Sequence, residues 1–195
     1  MYKRQPRYRV AFRRRRANIT DFRMRKTLIL SGIPRLVVRL SLKYVYAQLT
    51  EAVRSGDRVL ASACSRELTK FGWRAPCRNT PTAYLTGFLL GQRALALGVE
   101  AAILDIGLRR SSIGARIFAV LKGAVDVGLK IPYGERILPS QERIKGEHIA
   151  SYSKMLLEED RQSYERMFSQ YLSKGLAPEQ LADHFVHVLN AMKSD

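Results

Sequence analysis

The sequence predicts an α/β fold: a mixed sheet, made of an antiparallel three-strand meander plus one parallel strand, with helices packed on it. Three observations carry this expectation. Apolar and polar residues alternate along two consecutive stretches after Pro34, the period of a strand with one buried face. From Thr80 the apolar spacing becomes helical, gives way to the short run "AAILDIG", and then turns helical again. Strand, helix, strand, helix after a meander builds a mixed sheet with helices covering it. With 195 residues, 46% of them hydrophobic, the chain has material for one real core.

Taken in order, residues 1–19 read as a basic extended arm, because like charges repel and little apolar surface offsets the entropy of ordering them. Thr20 is expected to N-cap a short helix, with Asp21 in its positive first turn and Gly32 as its stop. In "RLVVRLS" Leu36, Val38 and Leu40 share a face, and in "YVYAQLT" Val45, Ala47 and Leu49 do. "LK" between them suits a hairpin turn, "RSGD" the next turn, and "RVLASACS" a third strand. Thr80 followed by Pro81 reads as a cap and first helical position, opening a helix that carries Tyr84, Leu85, Phe88 and Leu89 to Gly98. Gly87 and Gly91 are expected to let that helix lie close on the sheet.

"AAILDIG" suits a buried parallel strand. A second helix over 114–127 places Ile117, Phe118, Leu121 and Val125 on one face before Gly128. The α/β domain is thus assigned to residues 20–132. Residues 133–195 form a connecting segment and a C-terminal helical extension. There Tyr164, Met167, Phe168, Tyr171 and Leu172 share one helical stripe that Gly175 stops. Pro178 starts another, with Leu181, Phe185, Val188, Leu189 and Met192 in register. These stripes are expected to pack on each other or on the domain, and docking on a neighbouring protein or RNA is the alternative.

The net charge is +17, unevenly spread. Residues 1–43 hold 14 Lys/Arg and one acid, residues 44–140 hold 13 and 7, and residues 141–195 hold 7 and 9. Such a field favours nucleic acid or an anionic membrane. The membrane reading is weak, since no run of about twenty apolar residues occurs and the N-terminus lacks the apolar centre of a secretory signal. Cys64 and Cys77 have no Cys-x-x-Cys spacing, which favours reduced thiols. His184 and His187, three apart with no third ligand near, read as helix-surface residues.

With the apolar faces of the first two strands turned to the helices, the other face displays Arg35, Arg39, Tyr44, Tyr46 and Gln48. Guanidinium forks bind phosphate, and tyrosine faces stack on unpaired bases. The loop "GLRRSSIGAR", with Arg109, Arg110 and Arg116, is either a further source of charge and backbone N–H groups for phosphate or an ordinary solvated connection. Asp105 is the one acid near a strand end, as in ribonuclease-H-like nucleases. Two-metal chemistry needs several convergent carboxylates, so enzyme status is not expected. No phosphate-cradling or nucleophile-elbow motif occurs.

The blocks "GIPRLVVRLSLKYVYAQL", "KFGWRAPCRNTPTAYLTGFLLGQRAL", "AILDIGLRRSSIGARIFAVLKGAVDVGL" and "ERIKGEHIASY" resemble, in order and spacing, the large ribosomal subunit protein eighteen family in its archaeal form. The resemblance covers roughly residues 1–152. It implies a non-enzymatic ribosomal protein of the cytoplasm, without cofactor or metal, with a fold of ribonuclease-H-like, translational-machinery-component type. The implied partners are 5S rRNA, the large-subunit (23S) rRNA within the central protuberance, and neighbouring large-subunit proteins, with no membrane and no small-molecule substrate. By position, the implied rRNA contacts in the arm are Arg4, Arg7, Arg9, Arg13, Arg14, Arg15 and Arg16, followed by Arg23, Arg25 and Lys26. They continue through Arg35, Arg39, Lys43, Tyr44 and Tyr46 to the Phe71–Trp73 loop, Arg78, Asn79, Arg109 and Arg110. The alternatives are a ribonuclease-H-like nuclease acting through Asp105 and a general RNA chaperone.

Overall fold

Alternation after Pro34 becomes β1 (Arg35–Leu40) and β2 (Val45–Val53), paired antiparallel in the computed structural model, which describes residues 9–194. Ser41 makes the hairpin between them: its hydroxyl accepts from the amides of Tyr44 and Lys43 at 2.8 and 3.4 Å. β3 (Gly56–Cys64) completes the meander, with a register shift at Leu49/Thr50 that the alternation pattern does not reveal. Before β1 lie a single turn, α1 (Arg13–Arg16), and α2 (Phe22–Leu30). The arm is thus not extended throughout, because arginine is a good helix former and four in a row wind into one exposed turn. The α2 cap is Asp21 rather than Thr20. Its carboxylate accepts from the Arg23 and Met24 amides, satisfying two orphan donors.

α3 (Thr80–Ala96) follows a 3₁₀ segment, Ser65–Phe71. Its cap is Asn79, one residue before the expected Thr80, with the Asn79 oxygen accepting from the Thr82 amide at 2.9 Å. "AAILDIG" supplies β4 (Ile103–Asp105), parallel to β1, so the strand order is β3-β2-β1-β4. α4 (Arg116–Val127) ends at Gly128. Leu36, Val38, Val45, Ala47 and Leu49 are fully buried and belong to one core with the apolar residues of α3 and α4, as the alternation implies.

The Gly87 expectation is corrected in its partner. A Cβ on Gly87 would lie 1.9 Å from the Val120 carbonyl oxygen, and one on Gly123 would lie 2.1 Å from the Tyr84 oxygen. The glycines therefore seat α3 against α4, backbone to backbone, and not against the sheet.

The C-terminal part continues with α5 (Gln141–Lys145), α6 (Glu147–Glu159), α7 (Arg161–Met167), α8 (Ser169–Leu172) and α9 (Leu181–Ser194). The stripe expected to be one helix is broken at Phe168, which ends α7 and precedes α8. Phe168 is itself buried, against Tyr164 and Tyr171 at ring distances of 5.4 and 5.8 Å. α9 docks on the domain: Phe185 meets Tyr84 at 5.6 Å, and Gln92 donates to the Met192 carbonyl at 2.7 Å. Residues on both sides of position 132 share one continuous core. Among the described residues no helix is long and apolar enough to cross a membrane.

Candidate nucleic-acid interface

The outer face of the sheet divides in two. At the start of β1, α2 lies over it, and Met24, Arg25 and Leu28 share a cavity with Arg35, Val37, Gln48 and Thr50. Here a chain of charge runs across the sheet. Arg25 grips both oxygens of Asp57 at 2.6 and 2.7 Å, and Arg35 Nη2 lies 2.8 Å from Asp57 Oδ1. That last contact is ionic rather than a well-aligned hydrogen bond. Arg35 Nη1 donates to Asp105 at 3.1 Å, and Arg39 donates to the same carboxylate at 3.0 Å. The Gly107 amide also donates to Asp105, at 2.9 Å. The Arg25 fork holds the Asp57 carboxyl below its usual range, helped by Arg35 against the opposing effect of burial.

Arg35 must therefore be withdrawn as an RNA contact. It is 2% exposed, because two carboxylates on other strands pull its guanidinium into the protein. Arg25 is likewise committed to Asp57. Asp105 has both oxygens engaged by cations and an amide, as expected of a structural acid.

The other end of the face is open. Arg39 keeps 47% of its side chain exposed, Tyr46 is 41% exposed, and Tyr44 stands edge-on to Tyr46 at 6.5 Å. Lys43 is exposed on the adjacent turn. Two remote segments are pinned to the same turn through its carbonyls. Arg109 donates to Leu40 at 2.8 Å, and Arg78 donates to Leu42 at 3.3 Å. Gly107 is required at the foot of this group: its φ is +65° and a Cβ would sit 3.0 Å from the Arg39 guanidinium carbon. Arg110 is exposed on the same loop. Arg9, Arg13, Arg14, Arg15, Arg16, Arg23 and Lys26 are also exposed on the arm and α2, with Arg14 donating to Thr20 at 2.9 Å. Arg4 and Arg7 lie outside the described residues.

Three expected contacts are placed elsewhere. Trp73 is 2% exposed, its ring stacked on His184 at 5.1 Å and 22°, so neither face is offered to a base. Phe71 is half-buried against the core. Asn79 spends its oxygen on the α3 cap, and its amide donates to the Tyr171 hydroxyl at 3.2 Å. His184, read as a surface residue, instead accepts from the Arg74 amide at 3.1 Å. Burial, with Arg74 and His187 nearby, lowers its pKa. Among the described residues no group of three potential metal ligands forms.

One contributor went unseen in the sequence. Arg143 of α5 lines a cleft with Arg109, Arg110 and Arg116. Nothing in the local pattern of "QERIK" signals it, since the meeting depends on how the segment after α4 folds back.

Fold and site define a class first: a basic α/β domain whose open strand end is cationic and aromatic, and whose strand-borne carboxylate is neutralised from within. A family model described as ribosomal large subunit proteins 60S L5, and 50S L18 matches residues 6–101 and 96–134. The large ribosomal subunit protein uL18 of Aeropyrum pernix is 50% identical over 191 residues, 97% of this chain and 89% of that protein. The chain belongs to this family of large-subunit ribosomal proteins.

Proposed function

We propose that this protein is a structural constituent of the large ribosomal subunit that binds 5S rRNA and attaches it to 23S rRNA in the central protuberance. It acts in the cytoplasm, beside neighbouring ribosomal proteins, and catalyses nothing. One observation carries the reading. Three segments distant in sequence deliver Arg39, Lys43, Arg78 and Arg109 to one turn beside Tyr44 and Tyr46. Asp57 and Asp105, carboxylates on the neighbouring strands, are already paired with arginines. Cations, three of them held by hydrogen bonds, beside an exposed and a half-exposed tyrosine ring suit phosphates next to unpaired bases.

In this reading residues 1–19 are the RNA-binding arm, 20–132 the rRNA-binding domain of ribonuclease-H-like, translational-machinery type, and 133–195 the helical extension. The test is a competition gel shift at near-physiological salt between 5S rRNA and an unrelated structured RNA. Preference for 5S rRNA is expected. Equal affinity would return the general chaperone, and metal-dependent RNA cleavage lost in an Asp105→Ala chain that still folds would return the nuclease.

A further inference from the structure

Beyond the β1–β2 turn lies a cleft of about 560 Å³ walled by Arg109, Arg110, Arg116 and Arg143, with Thr80 and Ala115 and no carboxylate in its lining. Several arginines elsewhere on this protein meet acids: Arg25 and Arg35 have Asp57, Arg35 and Arg39 have Asp105, and Arg93 has Glu67. Here two guanidinium groups are held in place by backbone instead. Arg116 donates to the Arg78 carbonyl at 2.9 Å, and Arg109 donates to the Leu40 carbonyl at 2.8 Å. Arg143 makes no ion pair among the described residues.

Thr80 and Ala115 bring two helix beginnings to the same wall. α3 is capped by Asn79, but the α4 cap position is Ala115, which has no side chain to offer. Among the described residues the amides of Arg116 and Ile117 have no acceptor. Burial together with Arg78 and Arg109 lowers the Arg116 pKa, the sign of cations gathered without their counter-charge.

We infer that this cleft is a phosphate subsite that seats one phosphodiester of the bound RNA, ligated by Arg109, Arg110, Arg116 and Arg143 and closed by the free amides of the α4 N-terminus. The inference rests on the rRNA-binding reading and deepens it. Arg143 lies beyond residue 132, so the segment after the α/β domain takes part in holding RNA.

The full chain is titrated with inorganic phosphate while its backbone amides are followed by NMR, and 5S rRNA affinity is measured against salt for wild type and Arg143→Gln. The Arg116 and Ile117 amides should shift and saturate, and Arg143→Gln should raise the phosphate needed by about tenfold. For RNA the same variant should lose about tenfold in affinity. Its log–log salt slope should be shallower by roughly 0.7–0.9, one contact's worth. Arg116→Gln is a second variant, and if loss of the Arg78 contact unfolds it, the exposed Arg143 decides alone. Amides that do not respond, or a phosphate response with unchanged RNA affinity in Arg143→Gln, would overturn the subsite while leaving the rRNA reading standing. A wild-type chain with no affinity for 5S rRNA would overturn that parent reading instead.

Discussion

Asp105 accepts from two arginines and an amide while only 7% exposed, and Arg35 beside it is buried almost completely. Removing one member of such a set strands a charge in the interior, which typically costs about 3–5 kcal/mol. Asp105→Ala is therefore expected to lose roughly that much in urea-denaturation free energy. Arg39→Ala is expected to cost far less, because half of that side chain is in water. The alternation of β1 identified which face Arg35 and Arg39 occupy, but not their different fates. Those are decided by Asp57 on β3 and Asp105 on β4, through a strand order that no single-strand pattern contains. Trp73 is a similar case: its burial depends on α9, more than a hundred residues away, which supplies the stacked His184.

Between elements, the α3–α4 contact is the tightest feature of the fold. Gly87→Ala would drive a methyl into the Val120 carbonyl, so the helices must part, and a loss of about 1–3 kcal/mol or more is expected in thermal or urea unfolding. Wild-type stability in that variant would contradict the packing described. The Gly87/Gly91 spacing was readable as a close-approach signal, but whether sheet or helix lay opposite was not, because spacing names one surface and not its partner. α9 supplies a pH dependence. His184 is held neutral, with its folded pKa below the ordinary ~6.5. Its contribution is thus complete above about pH 6.5 and is lost as pH falls through the lower folded value. The melting temperature should decline over that window in wild type, and the decline should flatten in His184→Gln. The helical stripe of 164–172 was legible, but its break at Phe168 was not, since a buried aromatic interrupts the backbone without interrupting the pattern.

Over the whole molecule, charge runs from a strongly cationic N-terminus to a slightly acidic C-terminal third. That gradient is in the sequence directly, which is why a polyanionic partner was readable before any fold. Where the cations converge was not, because Arg78, Arg109 and Arg143 reach their places through turns and crossovers. The apolar core holds the domain and α9 together without help from the arm, whose described residues are largely exposed. Deleting residues 1–19 should therefore leave thermal unfolding nearly unchanged.

Salt-dependent binding of 5S rRNA, measured side by side for the full chain and the chain lacking residues 1–19, tests the polyelectrolyte account most directly. For about six to ten neutralised phosphates the full chain should lose roughly 10³–10⁵ in affinity between 50 and 200 mM salt, on duplex-derived slopes. The truncated chain should bind more weakly with a shallower slope. Equal affinity and equal slope for the two chains would contradict it.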